Sequence, residues 1–116
     1  MAVPHQLRDL VRLFEQATWG RLVYDLAVCV NAWCWDGARI VDGAERALLG
    51  AYQAERPLEP AERAAFVDMA RLAAARFTIT RLTDVFLPDG VDEELRRRKD
   101  WRDYARRLAW WQARSG

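Results

Sequence analysis

The chain has 116 residues, of which 52% are hydrophobic and 30% are charged, and its basic and acidic side chains leave a net charge of +1. This length predicts a single domain over residues 1–116, with one core. The near balance of charge argues against a general polyanion-binding role, so we expect no nucleic-acid partner.

The first predicted element is an amphipathic helix over residues 5–17, because Leu7, Leu10, Val11 and Phe14 recur at helical spacing. Charged residues at helical intervals in the same segment argue against a secretory signal, which needs a continuous apolar stretch. The longest apolar stretch in the chain is too short to span a membrane. We therefore expect a cytoplasmic protein with no membrane partner.

A second helix is predicted over residues 22–35, where Asp25 and Asn31 are the only interruptions of an apolar run. A polar group buried without a hydrogen-bond partner costs several kcal/mol. Because this helix has no evident polar side, we expect Asp25 to be buried against a partner. That partner is either a group outside this chain or an arginine such as Arg76 or Arg81.

Two cysteines, Cys29 and Cys34, lie in the same apolar run. Positions five residues apart on one helix are too distant and wrongly aimed for a disulfide. We expect both cysteines to be reduced core residues.

Three more helices are predicted in the rest of the chain. The first covers about 40–52 and cannot continue through 56–60, because that segment contains two prolines. Pro60 suits the first turn of a long fourth helix, and the turn at 87–90 leads to a last helix over about 101–111. The fold class is thus all-α, with about five helices. The predicted inward side chains of the last two helices are Phe66, Met69, Ala73, Phe77, Leu82, Phe86, Trp101, Tyr104, Ala105, Leu108 and Trp111.

Residues for independent catalysis are few. His5 is the only histidine, Lys99 the only lysine and Ser115 the only serine. They form no metal cluster, phosphate-binding loop or nucleophile elbow, so we expect no metal and no cofactor to be held by this chain alone. The basic run at 96–99 is flanked by acidic residues, and we interpret it as a solvated face rather than a phosphate contact.

Arg76 and Arg81 lie late in the fourth predicted helix, among apolar residues. Arginines in such a setting usually pair with a carboxylate, and Asp25 and Asp84 are both candidates. The alternative is a carboxylate-bearing or other anionic ligand between this helix and the second one.

An ordered series of short motifs runs through most of the chain. The motifs that carry it are Tyr24-Asp25-Leu26-Ala27, Asn31-Ala32-Trp33-Cys34, Arg56-Pro57-Leu58, Ala74-Ala75-Arg76-Phe77 and Lys99-Asp100. In order and spacing, the stretch from about Phe14 to Trp111 resembles the C-terminal portion of homoserine kinases of the aminoglycoside-phosphotransferase-like superfamily.

The resemblance implies a protein-kinase-like fold, in which residues 21–114 form the helical half of the C-terminal lobe. It implies that Asp25 holds the backbone of a catalytic loop by hydrogen bonds, as structural support for that loop. It also implies that four residues line an amino-acid pocket and bind the substrate: Asn31, Trp33, Arg76 and Arg81. ATP and Mg²⁺ enter as cofactors only through the resemblance.

The chain also departs from the family pattern. Leu13 stands before Phe14, where the pattern places a magnesium-binding aspartate, and leucine cannot bind Mg²⁺. The segment around Asp9 resembles at most a compressed form of the catalytic loop and lacks the asparagine that holds a second metal. We therefore expect no catalytic residue in this chain and no nucleotide-clamping lobe.

Two hypotheses remain open. In the first, the chain is the substrate-lobe portion of a homoserine-kinase-like phosphotransferase, inactive alone and completed by a missing lobe. In the second, it is a degenerate kinase remnant that acts as a helical protein-interaction or self-association module. Its partner is accordingly the missing kinase lobe or a second copy of the chain.

Overall fold

The computed structural model of the protein describes residues 21–114. Within this range the chain is all-helical, as predicted, and no helix there is long and apolar enough to cross a membrane. The predicted helix over 5–17 lies outside the described residues. The helices are α1 over residues 21–33, α2 (Asp42–Glu55), α3 (Pro60–Arg81), α4 (Glu93–Arg98) and α5 (Trp101–Ala113).

The turn after α1 is organised by Asp36 and Gly37. Asp36 Oδ1 accepts hydrogen bonds from the backbone N–H groups of Ala38 and Arg39, both at 2.9 Å, and these bonds lower the pKa of the Asp36 carboxyl. Gly37 adopts φ 103°, a conformation that favours glycine. The helix therefore ends two residues before the predicted boundary.

Chain reversal is completed by a short backbone pairing. Trp35 and Ile40 form an isolated antiparallel bridge, and the Val41 N–H donates to the Cys34 carbonyl at 2.7 Å. The chain then enters α2. This pairing removes Trp35 from the helix in which the sequence placed it.

Helix α3 begins as the sequence predicts, with Pro60 in its first turn. Glu59 and Glu62 form a capping box, in which Glu62 Oε1 accepts the Glu59 N–H at 2.9 Å. Arg56 forms an ion pair with Glu62 at 3.3 Å. The start of the longest helix is therefore fixed by local contacts.

At its other end, α3 continues into a π-helical turn over Leu82–Phe86. Phe86 was predicted to point inward, but its side chain is 42% exposed. A π-helical turn holds one more residue than an α-helical turn and rotates the following side chains relative to an α-helical register. The uniform helical spacing used for the prediction therefore fails beyond Leu82, and the prediction for Phe86 is wrong.

The core lies between α1, α3 and α5. Phe66 of α3 meets the ring of Trp111 edge-on at 5.9 Å, and Phe77 stacks on Tyr104 at 5.0 Å. Trp111 is fully buried whereas its neighbour Trp110 is half-buried, because adjacent residues of a helix point about 100° apart. The main cluster consists of Val23, Leu26, Ala27, Val30, Cys34, Ile40, Leu58, Phe66, Ala70 and Trp111.

The other predicted inward positions divide by depth. Ala73 and Tyr104 are buried. The half-buried ones are Met69, Phe77, Leu82, Trp101, Ala105 and Leu108. The helical spacing therefore identified the correct side of α3 and α5 up to the π-helical turn.

Candidate functional site

Asn31 lies at the centre of a buried polar node that joins three helices. Its Nδ2 donates to the carbonyl of Ala70 on α3 at 3.1 Å, and its Oδ1 accepts from Trp111 Nε1 on α5 at 2.7 Å. Its backbone carbonyl accepts from Arg107 Nε at 2.8 Å. Asn31 is 0% exposed, so a partner for each of these groups is needed to avoid a desolvation penalty.

A cationic cluster extends this node along α5. The Arg107 guanidinium, 7% exposed, forms an ion pair with Asp103 at 2.9 Å, and Arg81 reaches the same carboxylate at 3.6 Å. The guanidinium carbons of Arg107 and Arg81 lie 4.2 and 4.4 Å from the centre of the Tyr104 ring. One carboxylate and one aromatic ring thus serve both arginines.

Arg81 also donates to the backbone carbonyl of Asp100 at 3.0 Å. Of the two interpretations left open for this residue, the structure shows the intramolecular ion pair. The partner is Asp103, not the predicted Asp25 or Asp84. Arg81 therefore fastens the end of α3 to the start of α5.

The opposite side of α1 is exposed, and we call it the α1 face: Arg21, Asp25, Cys29, Ala32 and Trp33. Trp33 is 80% exposed. These positions share one side because each residue advances an α-helix by about 100°, which places them away from the buried side of α1.

Two predictions for this helix are corrected by its orientation. Asp25 is exposed, not buried, and within residues 21–114 it forms no ion pair with Arg76 or Arg81. Cys29 is exposed as well, whereas Cys34 is buried, and both are free thiols. An apolar sequence on every side of a helix does not require that every side be buried in the same chain.

Arg76 is exposed, and its guanidinium carbon lies 5.4 Å from the centre of the Tyr24 ring on α1. Tyr24 and Trp33 are nine residues apart on one helix, which corresponds to about 13 Å along its axis. Arg76 therefore lies beside the first part of α1, whereas Trp33 is the last residue of that helix. Of the four predicted pocket residues, Asn31 and Arg81 form contacts inside the protein, and Trp33 and Arg76 are exposed. Their role in binding an amino acid stays a prediction.

A cavity of about 250 Å³ lies near α4 and the start of α5. It is lined by Phe86, Glu93, Arg96, Arg97, Asp100 and Arg102. Each arginine there has a carboxylate nearby: Arg96 has Glu93 at 3.5 Å, Arg97 has Glu94 at 4.0 Å and Arg102 has Asp100 at 3.3 Å. This pairing agrees with the interpretation of the basic run as a solvated face.

The residues described by the structure do not fit a magnesium site. Among residues 21–114, no three or more His, Cys, Asp or Glu side chains lie close enough to hold a metal ion. Mg²⁺ prefers carboxylates, phosphates and water in octahedral geometry, and no such cluster of carboxylates is present in this range.

Comparison with known proteins identifies homoserine kinases as homologues. The chain is 44% identical over 97 residues to the homoserine kinase of Rhodopseudomonas palustris (strain TIE-1), which covers 82% of this chain and 29% of that protein. It is 48% identical over 95 residues to the homoserine kinase of Xanthobacter autotrophicus, covering 79% and 28% of the two chains. It is 47% identical over 89 residues to the homoserine kinase of Gluconacetobacter diazotrophicus, covering 75% of this chain and 27% of that protein.

The chain therefore spans less than a third of the length of the curated relatives that it matches. No protein-family model and no solved structure matches it. The homology thus concerns a part of a homoserine kinase.

Proposed function

We propose that this chain is the substrate-lobe portion of a homoserine-kinase-like phosphotransferase of protein-kinase-like fold. When completed by the missing lobe, it takes part in the ATP-dependent phosphorylation of a small hydroxylated amino acid. The observation that carries the proposal is the identity of 44 to 48% to homoserine kinases over about four fifths of the chain.

In this proposal the missing lobe holds ATP and Mg²⁺, as the resemblance to homoserine kinases implies. ATP supplies the phosphoryl group. Phosphoryl transfer depends on positioning and on stabilisation of phosphate charge, and the described residues provide only part of the positioning. We therefore expect the chain to be inactive alone.

The contribution of this chain is to bind and orient the acceptor. Arg76 is the candidate for the acceptor carboxylate, because its guanidinium is exposed and is held over Tyr24. A guanidinium binds a carboxylate by two parallel charge-assisted hydrogen bonds. Asn31 has a positioning role in this proposal, since it holds α1 against α3 and α5.

Asp25 keeps the role that the resemblance implies, as the support of a catalytic loop. Its exposure supports this assignment, since the carboxylate is accessible to a segment that lies outside the described residues. Backbone N–H groups of such a loop would supply charge-assisted hydrogen bonds to it.

The test combines this chain with the rest of a related kinase. The chain is incubated with Mg²⁺, ATP and homoserine, alone and together with a polypeptide comprising the part of the Rhodopseudomonas palustris homoserine kinase outside the matched region. We expect homoserine-dependent ADP release only from the combination. No turnover in either case contradicts the enzymatic proposal.

The acceptor contact is tested by Arg76→Ala in the active combination. We expect the KM for homoserine to rise about tenfold or more, because a charge-assisted contact is lost, while the KM for ATP stays the same. Arg46→Ala is the matched control, since Arg46 is also exposed but pairs with Asp42 on α2. An unchanged KM for homoserine in the Arg76 variant excludes Arg76 as the acceptor contact.

One observation favours the second hypothesis, a kinase remnant acting as a self-association or protein-interaction module. Trp33 is 80% exposed and lies beside exposed Cys29 and Ala32, and contiguous exposed apolar patches mark interaction sites. Sedimentation of the isolated chain tests the self-association form. A monomer at all concentrations contradicts it, and a dimer that dissociates on Trp33→Glu supports it.

A further inference from the structure

We infer that the α1 face is the docking surface for the part of a homoserine-kinase-like protein that lies outside this chain. This inference rests on the proposed function and extends it by naming the surface through which the two parts join.

The first argument is the composition of α1. A surface helix normally carries polar residues on the side that faces solvent. In α1 that side holds Cys29, Ala32 and Trp33, and only Arg21 and Asp25 are charged. Trp33 is 80% exposed, and tryptophan is among the residues that most often dominate the binding free energy of an interface.

The second argument identifies the occupant. Any continuous stretch that covers 82% of this chain includes residues 22–95, so α1 and α3 both belong to the region shared with the homoserine kinases. In those relatives more than two thirds of the chain lies outside the match. The same helix is thus shared with proteins that have a large additional body.

The third argument concerns the extent of the surface. Arg76 lies over Tyr24 and joins α1 to the exposed side of α3. Leu72 and Ile79, at helical spacing from Arg76, are 44% and 58% exposed on that side. An apolar centre with charged residues at its edge is the usual arrangement of a protein interface.

Binding is measured by isothermal titration calorimetry between the full chain and the polypeptide comprising the unmatched part of the Rhodopseudomonas palustris homoserine kinase. We expect Trp33→Glu to raise the dissociation constant at least tenfold. Ala32→Arg should raise it by a similar factor, because the larger side chain obstructs close approach. Leu87→Glu is the matched control, since Leu87 is 66% exposed and lies outside the α1 face. Urea denaturation of each variant verifies that the fold is retained.

The outcomes separate this inference from the proposed function. Wild-type binding that both α1 variants weaken supports docking, even where no homoserine is phosphorylated and the enzymatic proposal fails. If homoserine is phosphorylated but neither α1 variant weakens binding, the docking assignment is overturned and the proposed function is retained. No binding by the wild-type chain overturns the inference, and so does a wild-type chain that forms dimers through Trp33.

Discussion

The two sides of α1 differ in polarity and in what they contact, because the buried side is almost entirely apolar whereas the exposed side carries Arg21 and Asp25. On one side, Asn31 is fully buried, and its amide bonds to α3 and α5. On the other, Asp25 and Trp33 are exposed. The difference shows that the position of a polar residue in this helix is decided by the neighbouring helices.

The largest difference in stability is expected between substitution of Trp111, which packs against the buried side of α1, and substitution of Trp33, which lies on its exposed side. Trp111→Ala should reduce the free energy of unfolding by about 3–5 kcal/mol, because it opens a large cavity at the node. Trp33→Ala should change it by less than about 0.5 kcal/mol, because the side chain is exposed. Urea denaturation followed by circular dichroism measures both, and equal losses would contradict the assigned orientation of α1.

The two polar interruptions of α1 provide the next comparison. Asn31→Ala should cost about 2–3 kcal/mol, since it leaves the buried Trp111 indole N–H without a partner and removes the side-chain hydrogen bond to the Ala70 carbonyl. Asp25→Ala is the control at an exposed position of the same helix, and its effect should stay below about 0.5 kcal/mol. A larger loss for the Asp25 variant would mean that its carboxylate has a partner within the chain.

Substitutions of two arginines of α3 should also differ in their effect on the free energy of unfolding, but by a smaller amount. Arg81→Gln should cost about 1–2 kcal/mol, through loss of the ion pair with Asp103 and of the contact with the Tyr104 ring. For Arg76→Gln we expect less than about 0.5 kcal/mol, because Arg76 is exposed. Thermal unfolding at low and moderate salt checks both values. A larger loss of stability for Arg76→Gln than for Arg81→Gln would contradict the assignment of Arg81 as the residue that connects α3 to α5.

The smallest expected effect is the pH dependence of stability that comes from the buried Cys34 thiol. Burial, then the nearby charges of Glu45 and Cys29, raise the pKa of the Cys34 thiol above its ordinary value of 9.0. A raised pKa in the folded state stabilises the protein below the unfolded value, and this contribution disappears as pH rises through the folded value. Wild type should therefore lose stability above about pH 9 relative to Cys34→Ala, as urea denaturation at a series of pH values would show.

Thiol labelling under native conditions provides the matching control. We expect a thiol reagent to modify exposed Cys29 rapidly and to reach buried Cys34 only after unfolding. The comparison uses Cys29→Ala and Cys34→Ala, each of which leaves a single thiol. Rapid labelling of Cys34 would show that the end of α1 opens locally.

Pro60 predicted where α3 begins, because proline suits the first turn of a helix. The end of α1 was predicted two residues too late, since the turn at Asp36 and Gly37 and the pairing of Trp35 with Ile40 end the helix earlier. The π-helical turn was missed, and with it the exposure of Phe86, because a single inserted residue leaves no clear signal in hydrophobic spacing.

Long-range features were not predictable in the same way. Arg21 and Asp25 lie four residues apart on the exposed side of α1, but the apolar run was interpreted as having no polar side, which is why Asp25 and Cys29 were placed in the core. Arg107 was not identified at all, because its buried environment depends on Asn31, 76 positions earlier. A motif can indicate that Asn31 matters, but only the packing of three helices shows that it holds them together.

The polar node also constrains how the protein is made. The hydrogen bond between Asn31 and Trp111 joins residues 80 positions apart, so α1 emerges from the ribosome long before its partner exists. At ordinary rates of synthesis, the delay is about 4–16 s. During that interval both sides of α1 are exposed, and we expect the nascent helix to be a binding site for chaperones until α5 arrives.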